Sequence, residues 1–115
     1  MEYLLLIHND PAGLAALTPA QQTDGIAAYV AYTDALRKAG VYVGSNRLQS
    51  VSTATTVRVT DGKTQLVNGP YAEVKEELGG YYLIDVPDLD AALSWAARCP
   101  GASYGAIEVR PVWAM

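Results

Sequence analysis

Residues 79–86, Gly-Gly-Tyr-Tyr-Leu-Ile-Asp-Val, constrain the fold more than any other stretch. Tyr81, Leu83 and Asp85 alternate with Tyr82, Ile84 and Val86, which is the period of a pleated strand. Aromatic and β-branched side chains favour that conformation. Both sets are mostly apolar, so the strand belongs in the middle of a sheet with something packed on each face. Gly69-Pro70 stops whatever strand precedes it, because proline brings no ladder donor. Between that breaker and the strand lies a charged turn, Glu73 to Glu77, held over a sheet where binding groups often sit.

The opening segment Tyr3-Leu4-Leu5-Leu6-Ile7 is continuously apolar and also needs cover on both faces. Asn9-Asp10-Pro11 ends it. Thr18-Pro19-Ala20-Gln21 reads as a helix start, with Thr18 as N-cap, Pro19 in the first helical position and Gln21 closing a capping box. That helix is expected to run to about Ala39, with Ile26, Tyr29, Val30, Thr33 and Leu36 as its buried stripe and Gly40 as its stop. A second strand begins at Val41 and continues irregularly toward Leu48. Ala54 to Thr60 and Thr64 to Val67 flank Asp61-Gly62, a short-range hairpin signal, with Arg58 and Lys63 keeping one side wet. Asp88 caps a second helix whose stripe is Leu89, Ala92, Leu93 and Ala96. Pro100-Gly101 ends it, and Ala106 to Val112 is the last strand, with Trp113 expected to pack under the first strand or on a second subunit.

The order is strand, helix, strand, hairpin, strand, helix, strand. Without the hairpin this is β-α-β-β-α-β, an α+β, ferredoxin-like arrangement with two helices on one face of an antiparallel sheet. The other face is left apolar, so a second copy of the chain is expected to cover it as a two-fold homodimer.

At 115 residues the chain reads as one domain, residues 1–115, able to bury a core unaided. A formal net charge of −4 lacks the basic footprint of a nucleic-acid binder. No long apolar run or signal pattern points to a membrane or to export, and a cytoplasmic protein is the expectation. Cys99 stands alone, without a disulfide partner or metal-ligand spacing, and reads as a small apolar filler at a helix end.

Few residues offer chemistry. His8 is the only histidine and ends the first strand two residues before Asp10, so any imidazole base in this chain is His8 with a carboxylate beside it. Glu73 is a second candidate base or orienter, and Lys75 a candidate for holding an anion. Tyr71, Tyr81 and Tyr82 are candidate ligand-binding aromatics, although aromatics on a sheet more often serve core or interface. Asp85 requires a partner, for which Arg110 and Arg47 are the candidates, and Glu108 and Arg110 share a face of the last strand. There is no phosphate-cradling glycine loop, nucleophile elbow or Cys/His cluster, so no cofactor or metal is expected.

Asn68-Gly69-Pro70-Tyr71-Ala72-Glu73-Val74-Lys75-Glu76, followed by Leu78-Gly79-Gly80-Tyr81-Tyr82-Leu83-Ile84-Asp85-Val86, resembles the signature of the YCII-related proteins. More narrowly it is similar to the DGPF-domain group, from whose motif it departs at Asn68 and Tyr71. Ala96-Ala97-Arg98-Cys99-Pro100 and the closing Ile107 to Val112 extend the likeness. The resemblance implies a ferredoxin-like dimer. Some YCII-type relatives are thought to act on small molecules through a His-Asp pair near the start of the first helix. Residues 18–24 contain no histidine, so that pair does not carry over. Genes of the DGPF group often lie beside those of extracytoplasmic-function sigma factors, which implies a regulatory or accessory role.

Two functional readings follow. The first is a dimeric small-ligand-binding or regulatory module. The second is a lyase- or isomerase-type enzyme using His8 as base, Asp10 or Glu73 as orienter, and Lys75 as anion holder.

Overall fold

A computed structural model describes residues 1–71 and 75–114. The chain runs β1 (Glu2–Asn9), α1 (Pro11–Ala15), α2 (Pro19–Lys38), β2 (Tyr42–Arg47), β3 (Thr55–Thr60), β4 (Lys63–Asn68), β5 (Glu77–Asp85), α3 (Leu89–Arg98) and β6 (Ala106–Pro111). The fold is α+β. One sheet has the order β2-β5-β1-β6 with every neighbour antiparallel, and β3-β4 forms a separate two-stranded sheet. β1 and β5, the two most apolar strands, are the two interior ones.

Alternation along those strands sorts their side chains onto two faces. Tyr3, Leu5 and Ile7 of β1 and Tyr82, Ile84 and Val86 in and after β5 are buried on one face. They pack against Tyr32 and Leu36 of α2, Ala92 and Ala96 of α3, and Cys99. Cys99 is thus the apolar filler expected of it. The buried hydroxyls have partners, as burial requires. Tyr32 donates to the Trp95 carbonyl at 2.7 Å, and Tyr82 shares a 2.7 Å hydrogen bond with Thr33. On the opposite face Leu4, Leu6, Tyr81 and Leu83 stay half-buried, and the buried helical residues all belong to the first face.

The helix start at Thr18 matches the sequence. Thr18 Oγ1 accepts from the Gln21 amide at 3.1 Å, Gln21 Oε1 accepts from the Thr18 amide at 2.9 Å, and Pro19 opens the helix. The hairpin turn also matches, with Asp61 and Gly62 both at positive φ, as a two-residue turn between twisted strands needs.

Two expectations are corrected. In α2 the buried residues are Tyr32 and Leu36, while Ile26 and Val30 are 58% and 65% exposed. The N-terminal half of that helix stands over a cleft rather than on the sheet. In α3 Leu89 and Leu93 are exposed, and the small residues Ala92 and Ala96 make the close contact. Of the two places expected for Trp113, the one under the first strand is not taken, since Trp113 is 88% exposed in this chain. One element was not foreseen at all. Asp10 Oδ1 accepts from the Ala12 amide at 2.9 Å with Pro11 in the first helical position, so Asp10-Pro11 opens the short helix α1. No described helix is long and apolar enough to cross a membrane.

Candidate functional site

The cleft begins with a break in strand register. Ile7 pairs with Gly80, but His8 pairs with Leu78, leaving Gly79 as an extra residue on β5. Such a bulge bends its strand and is common beside functional sites. Close approach of backbone requires a glycine at 80, while at Gly79 the close neighbour is the movable side chain of Asn9. A Cβ on Gly79 would lie 2.8 Å from the Asn9 amide nitrogen, and one on Gly80 would lie 2.8 Å from the Asn46 carbonyl oxygen. Neither glycine puts a side chain of its own on the sheet surface at this point, and residues of α2 face it across a cleft. That cleft has a volume of about 530 Å3. Ile26, Tyr29 and Val30 of α2 form one wall, Leu14 and Leu17 close one end, and Gly79, Gly80 and Tyr82 form the floor.

The polar groups in the cleft are few. Asn9, Gln22, Ser45, Asn46 and Arg47 line it with the tyrosines. Arg47 pairs with Gly80 in the sheet register, so strand alternation puts it on the same side as the floor. It is the one charged residue among the described lining residues. Tyr29 and Tyr82 stack nearly parallel, with ring centroids 6.5 Å apart. Burial pushes the Tyr29 hydroxyl far above the usual phenol range, and the nearby Cys99 and Tyr104 push it the same way. Burial raises Tyr82 as well. Both phenols are thus neutral hydrogen-bonding groups at any ordinary pH.

His8 is elsewhere. It follows Leu4 and Leu6 on the half-exposed sheet face and does not line the cleft. Its carboxylate partner is Glu108, whose Oε1 lies 3.2 Å from His8 Nε2. Arg110 holds the other Glu108 oxygen, with Nε donating at 3.0 Å and Nη2 bonded to the same atom. Glu108 thus orients His8 in the place that sequence reading gave to Asp10 or Glu73. The Asp10 carboxylate caps α1 instead, and Glu73 lies outside the described residues. The Arg110 hydrogen bond, with the Arg110 charge and His8 adding to it, holds the Glu108 carboxyl below its ordinary value of 4.5 despite partial desolvation.

That geometry predicts a titration. A carboxyl depressed in the folded state stabilises the fold above its unfolded value, and the contribution is lost as pH falls through the folded value. Carbon-detected NMR of Glu108 is expected to give a midpoint below 4.5 that rises toward 4.5 in Arg110→Gln. A parent midpoint at or above 4.5 contradicts the pairing.

The remaining candidates are dispersed. Tyr71 is exposed and stacks under the Arg58 guanidinium at 4.9 Å. Lys75 is exposed and does not line the cleft. Tyr81 borders the cleft, and its hydroxyl accepts from the Asn46 side chain at 2.7 Å. Asp85 is exposed, and its partner is the Met1 amino group at 3.0 Å rather than Arg47 or Arg110. Sequence reading missed Asn9, Gln22, Ser45 and Arg47 as cleft residues. Only Arg47 carried a signal, as a cation at the end of the second strand.

A family model for the YCII-related domain matches residues 1–115. An uncharacterised protein of Rhizobium meliloti (strain 1021) is 35% identical over 114 residues, which cover 97% of this chain and 92% of that protein.

Proposed function

The chain belongs to the YCII-related domain family, and from that premise we propose a dimeric protein that binds a small ligand in the cleft between α2 and the sheet. The observation that carries this reading is the cleft itself. Its volume of about 530 Å3 falls within the range of small-molecule sites, and its lining is largely apolar with a few polar groups. Ile26 and Val30 expose apolar surface along its wall, which a guest would cover.

Binding without turnover ranks above catalysis. His8 sits on the other face of the sheet from the cleft floor, and Lys75 is not a lining residue. Sheet order β2-β5-β1-β6, taken without the hairpin, supports a ferredoxin-like description. The half-buried face of Leu4, Leu6, Tyr81 and Leu83 supports a two-fold dimer through that face. Placement in the DGPF-type group, and with it an accessory role beside a sigma factor, rests on the motif around Gly69-Pro70 alone.

A screen of small ring compounds by ligand-observed NMR tests the cleft. Binders are expected to lose at least about tenfold in affinity in Ile26→Trp, which narrows the cleft, with stability changed by no more than about 0.5 kcal/mol at so exposed a position. Binders that hold the variant as tightly as the parent place the site elsewhere. Sedimentation velocity tests the dimer. Twice the mass of one chain is expected, falling to one chain in Leu83→Glu, and a parent that sediments as one chain removes the dimer from the account.

A further inference from the structure

We propose that the ligand of this cleft is a small monocarboxylate on a flat apolar ring, with the Arg47 guanidinium as its carboxylate clamp. The inference rests on the small-ligand reading and names the chemistry of that site.

The first argument is the sign of the charge. Acidic residues outnumber basic ones in this chain, 12 to 8. Yet none lines the cleft among the described residues, whose single charge is that of Arg47. A cleft of that kind attracts anions into a protein whose net charge repels them.

The second argument is how the arginines are used. Arg110 is bonded to Glu108. Arg37, Arg58 and Arg98 lie over the rings of Tyr42, Tyr71 and Trp95, 4.5, 4.9 and 4.2 Å from the centroids. Arg47 alone has neither a carboxylate nor an aromatic partner among the described residues, and it stands at the cleft beside Gly80. A guanidinium presents a planar fork that matches a carboxylate with two parallel hydrogen bonds. One such cation balances one negative charge. A phosphate monoester carries about −1.5 to −2 near neutral pH, and no second cation lines the cleft among the described residues to meet it.

The third argument is the shape of the rest. The neutral Tyr29 and Tyr82 rings, with Ile26, Val30, Leu14 and Leu17, offer flat and apolar surface. Gly79 and Gly80 add no side chain of their own to the floor beneath a planar body. Asn9 and Gln22 supply amides that reach polar ring substituents, which sets which ring is preferred rather than its charge.

Calorimetric titration of the full chain with benzoate, benzamide and phenyl phosphate tests the inference, with Arg47→Gln and Arg47→Lys alongside. Benzoate is expected to bind the parent at least tenfold more tightly than its neutral isostere benzamide, and phenyl phosphate no more tightly than benzoate. Arg47→Gln is expected to bring benzoate to the benzamide level while leaving benzamide within twofold, and Arg47→Lys to restore part of the preference. Circular dichroism confirms that each variant is folded, as the exposure of Arg47 leads one to expect.

Equal binding of benzoate and benzamide by the parent, or a preference that survives in Arg47→Gln, overturns the carboxylate clamp and leaves the small-ligand reading standing. A tenfold preference for phenyl phosphate overturns the monocarboxylate assignment in the same way. Failure of all three probes to bind at millimolar concentration overturns the inference. Whether the small-ligand reading falls with it is then decided by the wider ring-compound screen.

Discussion

Leu5→Ala is expected to lower the stability of the fold by about 3 kcal/mol and its Tm by on the order of 10 °C or more. Leu5 has no exposed surface. It sits in β1 between Tyr82 of β5 and Val109 of β6, at the centre of the sheet. It faces the core that Leu36 of α2 and Ala92 of α3 complete. Truncation removes both the transfer energy of the lost carbons and the contacts around the space they leave. Backbone hydrogen bonds on both sides hold the strand, so the site cannot collapse to fill that space. Chemical denaturation is the measurement. A loss below about 1 kcal/mol would mean that the side chain is not enclosed as described.

Gly105→Ala is expected to cost about 2 kcal/mol, as overpacking of a tight contact does. A Cβ there would lie 2.2 Å from the His8 carbonyl oxygen, and that obstacle is backbone, which cannot rotate away. Gly105 is anchored by its own amide to the Gly101 carbonyl at 2.8 Å and leads directly into β6, where Ala106 pairs with His8. The strain is therefore relieved by moving β6 off β1 at the end that carries His8. The same substitution is expected to weaken the His8–Glu108 pair. A variant as stable as the parent in chemical denaturation contradicts the close approach.

Much of this fold was legible in the chain. The two-residue alternation of residues 81–86 and the apolar run at Leu4 to Ile7 put β5 and β1 in the sheet interior, because only interior strands bury both edges in hydrogen bonds. Thr18, Pro19 and Gln21 fixed the start of α2 through local hydrogen bonds that need no tertiary context. The cleft was not legible, and Ile26 and Val30 show why. Periodicity tells which side of a helix is apolar, not how far that side stands from the sheet. Two residues on the expected stripe can therefore line a cavity while Leu36, farther along, fills the core. Leu89 and Leu93 make the same point on α3, where the alanines allow the close contact.

The partner of His8 was hidden for a different reason. Glu108 is 100 residues away and meets His8 only because β6 lies beside β1. Asp10, two residues away, was the natural candidate from sequence. Its carboxylate is engaged instead by the amide of Ala12, a competition between cap and catalyst that spacing alone does not resolve.

The central claim is that the cleft between α2 and the Gly79-Gly80 bulge is where this protein meets its ligand. The most direct test is a residue-by-residue NMR titration of the labelled chain with the tightest binder from the ring-compound screen. The largest amide shifts are expected at Gly79 and Gly80 on the floor, Gly25 and Tyr29 on the wall, and Arg47 at the sheet edge. Shifts confined to Leu4, Leu6, Leu83 and Glu108, with the glycine pair unmoved, would contradict the account and move the site to the opposite face of the sheet.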